Sequence, residues 1–197
     1  MIAVFDYGAG NLRSVENALE ELDCPYTLVR DAAGLRAANK ILLPGVGHFG
    51  QMMRALDTLA VRDTLCERIR AGIPFLGICL GMQALFEGSD EAPGERGLGV
   101  FPGRVVRFPR EARVPHMGWN HLDVRASSRL LNDVGESPYV YFAHSYYVPE
   151  MQYAAATCNY EVTYTAALEH ETIFGVQFHP EKSGAVGLGI VRNFVTL

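Results

Sequence analysis

The first 90 residues alternate between two hydrophobic periods. Ile2 to Asp6 is a short β-rich run, and Gly8 to Gly10 breaks the chain before Asn11, a residue suited to cap a helix. From there Leu12, Val15, Leu19 and Leu22 recur at helical spacing. Strand-like runs follow at Tyr26 to Val29 and Lys40 to Leu43, and a helical pattern runs from Phe49 to Arg70 with a break near Ala60. Pro74 to Ile78 predicts a further strand and Leu80 to Phe86 a further helix. Such a β-α-β rhythm builds a parallel sheet covered by helices.

The second half loses that rhythm. Strand-like pieces at Gly103 to Phe108, Tyr139 to Phe142, Ala154 to Cys158, Tyr164 to Leu168 and Ile173 to Phe178 follow one another closely, which suggests antiparallel hairpins attached to the main sheet. Ala185 to Val195 closes the chain as a helix. With no repeat, low-complexity tract or long linker, residues 1–197 are expected to form one α/β domain: a mainly parallel open sheet flanked by helices, with additional antiparallel strands in the second half.

Composition removes several function classes. The formal charge of −5 carries no long run of Lys or Arg, so neither nucleic acid nor an anionic membrane is an expected partner. The apolar stretches are shorter than the roughly 20 residues a membrane span needs. MIAVFDYGAG lacks a basic leader and a small-residue cleavage site, so a cytoplasmic location is the expectation. Cys24, Cys66, Cys79 and Cys158 are widely spread without a C-x-x-C pair, which argues against a zinc ribbon or a disulfide framework.

Cys79 is then singled out by its setting, Gly77-Ile78-Cys79-Leu80-Gly81, at the junction of a strand and a helix. This has the form of a nucleophile elbow, in which small flanking residues admit a strained backbone and a close approach of neighbouring chain. The turn projects the side chain beyond the carboxyl ends of the strands, a helix N-terminus favours the thiolate, and the Leu80 N–H faces a developing oxyanion. The plain alternative is a small buried apolar cysteine.

A hundred residues on, Phe178-His179-Pro180-Glu181 supplies a base and an orienting group. Proline biases His179 toward an extended backbone, and residues two apart on an extended segment share a side, so the Glu181 carboxylate can reach the His179 imidazole. Cys, His and carboxylate make a nucleophile, base and orienter. Pro44-Gly45-Val46-Gly47, also at a strand end, offers the Val46 or Gly47 N–H as a second oxyanion donor, although a plain turn needs the same residues. His116 and His121, like His48, His144 and His170, form no recognisable metal set with the cysteines, and Gly8 and Gly10 lack the rest of a dinucleotide fingerprint. Neither a metal nor a cofactor is expected.

Gly77-Ile78-Cys79-Leu80-Gly81-Met82-Gln83 together with Phe178-His179-Pro180-Glu181 resembles the class I (triad) glutamine amidotransferases. Asp6 to Ser14, Pro44 to Gly47, Val114 to Asn120, Phe142 to Tyr146 and His179 to Ser183 narrow the resemblance to the glutaminase subunits of imidazole glycerol phosphate synthases. The resemblance implies that Cys79 attacks the carboxamide of glutamine, His179 shuttles protons and Glu181 orients His179. It implies that Gln83, the Gly47 turn and backbone groups of His144, Ser145 and Tyr146 hold the substrate.

The implied partner is a separate (β/α)8-barrel cyclase subunit, joined in a heterodimer. It receives ammonia and makes imidazole glycerol phosphate and aminoimidazole carboxamide ribotide in histidine biosynthesis. Asn11, Met117, Trp119, Asn120 and Lys182 are implied at that interface, although a core position is the ordinary use of a lone Trp. The alternatives are a class I glutaminase serving another synthase, a generic cysteine hydrolase, or a catalytically silent regulatory binding module.

Overall fold

Strand β1 (Ile2–Phe5) leads toward α1 (Leu12–Glu21), and β2 (Tyr26–Val29), α2 (Ala32–Ala37) and β3 (Lys40–Gly45) continue the alternation. Helices α3 (Phe49–Thr58) and α4 (Arg62–Arg70) come next, then β4 (Phe75–Cys79). The computed structural model describes residues 1–9, 12–125, 127–135 and 137–197, so Asn11 lies outside the described residues. β2, β1, β3 and β4 are parallel neighbours in that order, in the register Ile2 opposite Tyr26 and Lys40, and Gly45 opposite Cys79.

Two cores follow from the two-residue period of these strands. Ala3, Phe5, Ile41, Leu43 and Phe75 pack on the side covered by α2, α3 and α4, whereas Val4, Leu42, Leu76 and Ile78 pack on the side covered by α1 and the C-terminal helix. The expected break near Ala60 is an αL helix end. Ala60 has φ +51, its N–H donates to Asp57 O at 2.9 Å, and the Val61 N–H donates to Leu56 O at 3.1 Å.

After Cys79 the chain makes a single helical turn, α5 (Leu80–Gln83), rather than the longer helix expected to Phe86. Non-local bonds capture the chain instead. The N–H groups of Leu98 and Val100 donate to the carbonyls of Ala84 and Leu85, both at 2.8 Å, and Phe86 opens β5 (Phe86–Ser89). One turn offers much less dipole to Cys79 than the helix expected from the sequence.

The remaining elements are β6 (Ala92–Arg96), β7 (Phe101–Arg107), β8 (His116–His121), β9 (Asp123–Val124), β10 (Tyr139–His144), β11 (Tyr146–Pro149), β12 (Ala154–Tyr160), β13 (Val162–His170), β14 (Ile173–Val176) and α6 (Gly184–Thr196). β14 adds to β4 in parallel, and β13 pairs antiparallel with β14, β12 and β11, which attaches the second half to the parallel sheet as anticipated. β8 and β10 form a separate antiparallel ribbon. Among the described residues no helix is long and apolar enough to cross a membrane.

Candidate active site

The elbow is built by exclusion of volume. At the end of β4, Cys79 has φ +53 and ψ −108, a conformation that costs on the order of 1–3 kcal/mol for a residue with a side chain. A Cβ on Gly77 would lie 2.5 Å from Gly81 O, one on Gly45 2.7 Å from Gly81 N, and one on Gly81 would overlap the Leu43 carbonyl oxygen. The glycines therefore let β3, β4 and α5 touch backbone to backbone. That contact holds Cys79 at the strained turn and aims it into a cavity of about 180 Å³.

His179 and Cys79 line the same cavity. The His179 N–H donates to Tyr141 O at 2.9 Å, fixing this residue to β10, and His179 Nδ1 lies 2.8 Å from Glu181 Oε1 with both side chains buried. Glu181 sits in a 3-10 turn, Pro180–Lys182, and not on an extended segment, so the expected pair forms by a different backbone path. Burial alone would lower the His179 pKa. Electrostatic attraction to Cys79 and hydrogen bonding with Cys79 and Glu181 outweigh it and raise the pKa to about 10, which favours the imidazolium.

Of the other residues singled out by sequence, Val46, Gly47 and Leu80 border the cavity. So do Gln83, His144, Ser145, Tyr146 and Lys182. The Val46 N–H is engaged elsewhere, donating to the Tyr7 hydroxyl at 3.2 Å. Gln83 donates through Nε2 to Tyr146 O and to Gln177 Oε1, each at 2.9 Å, so its amide hydrogens are committed and its carbonyl oxygen is the group left for a ligand. Sequence reasoning missed Gln177, whose Nε2 donates to Cys79 Sγ at 3.6 Å, and Glu91, the carboxylate in the cavity wall. A polar Gln inside an apolar run, immediately before Phe178-His179, is the available sequence signal for Gln177, which the fold buries completely.

Behind the cavity, the tautomers of two buried histidines are fixed by their neighbours. Tyr146 O can only accept, so the bond at 2.8 Å puts the proton of His144 on Nδ1, and His144 Nε2 accepts from the Tyr164 hydroxyl at 3.2 Å. The Tyr164 oxygen then accepts from His116 Nδ1–H at 3.2 Å, which leaves His116 Nε2 to accept from Asn120 Nδ2 at 3.4 Å. Desolvation lowers the His116 pKa to about 4 and that of His144 to about 3, so both stay neutral.

Outside the cavity, Met117 is 64 % and Trp119 54 % exposed, so the lone Trp is not a core residue. Trp119 meets the Tyr141 ring edge-on at 6.2 Å, and Lys182 Nζ stands 5.9 Å from the centre of that ring. Asn120 lies beside them on β8, donating to Asn159 O at 3.1 Å. Among the described residues no cluster of His, Cys, Asp or Glu has the makings of a metal site. Asp6, next to the glycine loop, is committed to Arg30 Nε at 2.7 Å and to the Gly8 N–H at 2.8 Å.

The family described as "Glutamine amidotransferase class-I" matches residues 3–196. The chain is 48 % identical over 198 residues to the imidazole glycerol phosphate synthase subunit HisH of Methanothermobacter thermautotrophicus, covering 100 % of this chain and 98 % of that one. It is 46 % identical over 200 residues to the protein of the same name from Thermococcus kodakarensis, covering 98 % of each. Among solved structures, PurLQS from Thermotoga maritima superposes with a TM-score of 0.75 at 19 % identity, covering 99 % of this chain and 97 % of that one, a likeness of fold.

Proposed function

Since the chain belongs to the class-I glutamine amidotransferases, we propose that it is the glutaminase subunit of an imidazole glycerol phosphate synthase, acting in the cytoplasm. The observation that carries this reading is a cysteine held at φ +53 over a cavity, facing a buried histidine whose Nδ1 is 2.8 Å from Glu181. Relatives named as subunits of that synthase, alike over nearly their whole length, support the choice of pathway. All four cysteines are free, as suits a reducing compartment.

In this reading the Cys79 sulfur attacks the side-chain amide carbon of glutamine, and the thiol proton resides on His179. The tetrahedral oxyanion takes the Leu80 N–H, with a second donor from the Val46–Gly47 turn. His179 gives its proton to the amide nitrogen, the C–N bond breaks, and ammonia leaves a γ-glutamyl thioester. Water then attacks the thioester, yielding one proton to His179. Collapse of that second tetrahedral species breaks the C–S bond, releases glutamate, and the His179 proton returns to Cys79. Glu181 fixes which His179 nitrogen faces the sulfur. The Gln83 carbonyl oxygen and the Glu91 carboxylate suit the α-ammonium group of glutamine, with Ser145 and the backbone of His144 and Tyr146 beside it.

The ammonia goes to a (β/α)8-barrel cyclase docking where Met117, Trp119, Asn120 and Lys182 lie; the resemblance implies that Asn11, outside the described residues, also contacts it. An exposed aromatic beside a cation at the cavity rim supports that placement. The test is glutamine hydrolysis with and without a cyclase subunit and its ribotide substrate, alongside labelling by a glutamine analogue. Slow hydrolysis alone, strong stimulation by the pair, and label on Cys79 are expected. A chain inert under both conditions, or labelled elsewhere, would refute the reading.

A further inference from the structure

Tyr7 lies two residues beyond the end of β1 and is buried, and its hydroxyl spends both of its hydrogen-bonding capacities on one residue. It accepts from the Val46 N–H at 3.2 Å and donates to the Val46 carbonyl at 3.1 Å, across 39 residues of sequence. The phenol thereby orients two successive peptide groups, the one before Val46 and the one after it. An N–H bonded to Tyr7 is not available to an oxyanion forming over Cys79, and Val46 borders the cavity into which Cys79 faces. The turn itself does not force this orientation. Gly47 has φ +97, and a Cβ there would meet nothing within 4 Å, so the backbone on that side has room to rotate.

We propose that Tyr7 is a positioning residue that holds the Val46 peptide off the oxyanion site in the free chain, so that full glutamine turnover requires this clamp to release. The inference rests on the glutaminase reading and adds to it the residue that keeps the uncoupled enzyme slow. Burial first of all, with the Cys79 charge adding to it, pushes the Tyr7 hydroxyl up to about 12, so the clamp remains a neutral phenol across the working pH range. Tyr7 also leads directly into the Gly8 to Ser14 segment that contains Asn11.

The experiment is Tyr7→Phe, which keeps the ring in its core and deletes the oxygen. One oxyanion donor is worth about 10²–10³ in kcat. The variant is expected to hydrolyse glutamine without the cyclase on the order of tenfold faster or more, with KM for glutamine nearly unchanged, and to be stimulated correspondingly less by cyclase and ribotide. A merely structural role would lower activity rather than raise it. Unchanged or reduced partner-free kcat in a folded Tyr7→Phe chain would overturn the proposal.

The unmutated chain provides a second measurement. Hydrogen exchange of the Val46 amide is expected to quicken when cyclase and ribotide bind, and an exchange rate indifferent to them would also overturn the proposal. Wild-type hydrolysis in the full complex separates the two levels. Activity there with a silent Tyr7→Phe removes the clamp alone, and no activity there removes the glutaminase reading with it.

Discussion

The two walls of the cavity are both made of glycine-bearing turns at strand ends, yet they use glycine for opposite reasons. At the elbow, Gly77 and Gly81 are required because backbone from β3 and α5 fills the space where a Cβ would stand. At the facing turn Gly45 is hemmed in by Gly81 where it leaves β3, but Gly47 beyond it is required by its φ of +97 while the space around it is open. The first wall is locked, and it continues into a floor where Gln83, Gln177, His144, Tyr164 and His116 are joined by hydrogen bonds. The second is held by one phenol. In the proposed mechanism, that asymmetry keeps the nucleophile fixed while leaving the oxyanion turn free to move.

The most severe way to break the contrast is Gly81→Ala. The new methyl overlaps the Leu43 carbonyl, so a loss of more than about 4 kcal/mol in denaturant unfolding, or failure to fold, is expected. A variant that kept near-normal stability would mean the elbow is not a locked wall. Acid should act on the same side. His116 and His144, neutral in the fold with pKa values of about 4 and 3, take up protons in the unfolded chain near pH 6.5. At these two sites the unfolded state then binds more protons than the native one, so their contribution to stability is intact above pH 6.5 and declines as pH falls from 6.5 toward 4. The slope approaches about 1.4 kcal/mol per pH unit for each imidazole. Urea titrations at stepped pH measure this, and a flat profile between pH 6.5 and 4.5 would count against the neutral floor.

On the open wall, Gly47→Ala should cost only about 1–3 kcal/mol of strain, because no atom obstructs it. Its larger effect should be a reduced kcat in the presence of the cyclase, read in coupled assays. The mildest change is Trp119→Ala. On an exposed strand it should leave stability within about 0.5 kcal/mol while weakening stimulation by the cyclase. A melting temperature that fell sharply instead would move Trp119 into the locked wall.

The sequence carried the locked wall better than the open one. The apolar runs of β1 and β3, the Ala60 break and the glycines around Cys79 are local signals, and the fold follows them. The helix after Cys79 was read too long because Ala84, Leu85 and Phe86 are apolar in either a helix or a strand, and the choice is made by residues 98–101. β5, β6, β8, β9, β11 and the short α2 carry too few residues or too little alternation to stand out. Glu181 was assigned to the right partner along the wrong backbone. Tyr7 and Gln177 act across 39 and 98 residues respectively, a separation no periodic pattern registers.

Trp119 has one more consequence. It is the only tryptophan in the chain and stands 54 % exposed, edge-on against Tyr141, whose carbonyl accepts from the His179 N–H. All indole fluorescence of this protein therefore originates at a single, wet position beside the active site. Anything that covers β8 will shift that emission to shorter wavelength, so the molecule carries its own optical gauge of docking, readable in real time without a dye or a label.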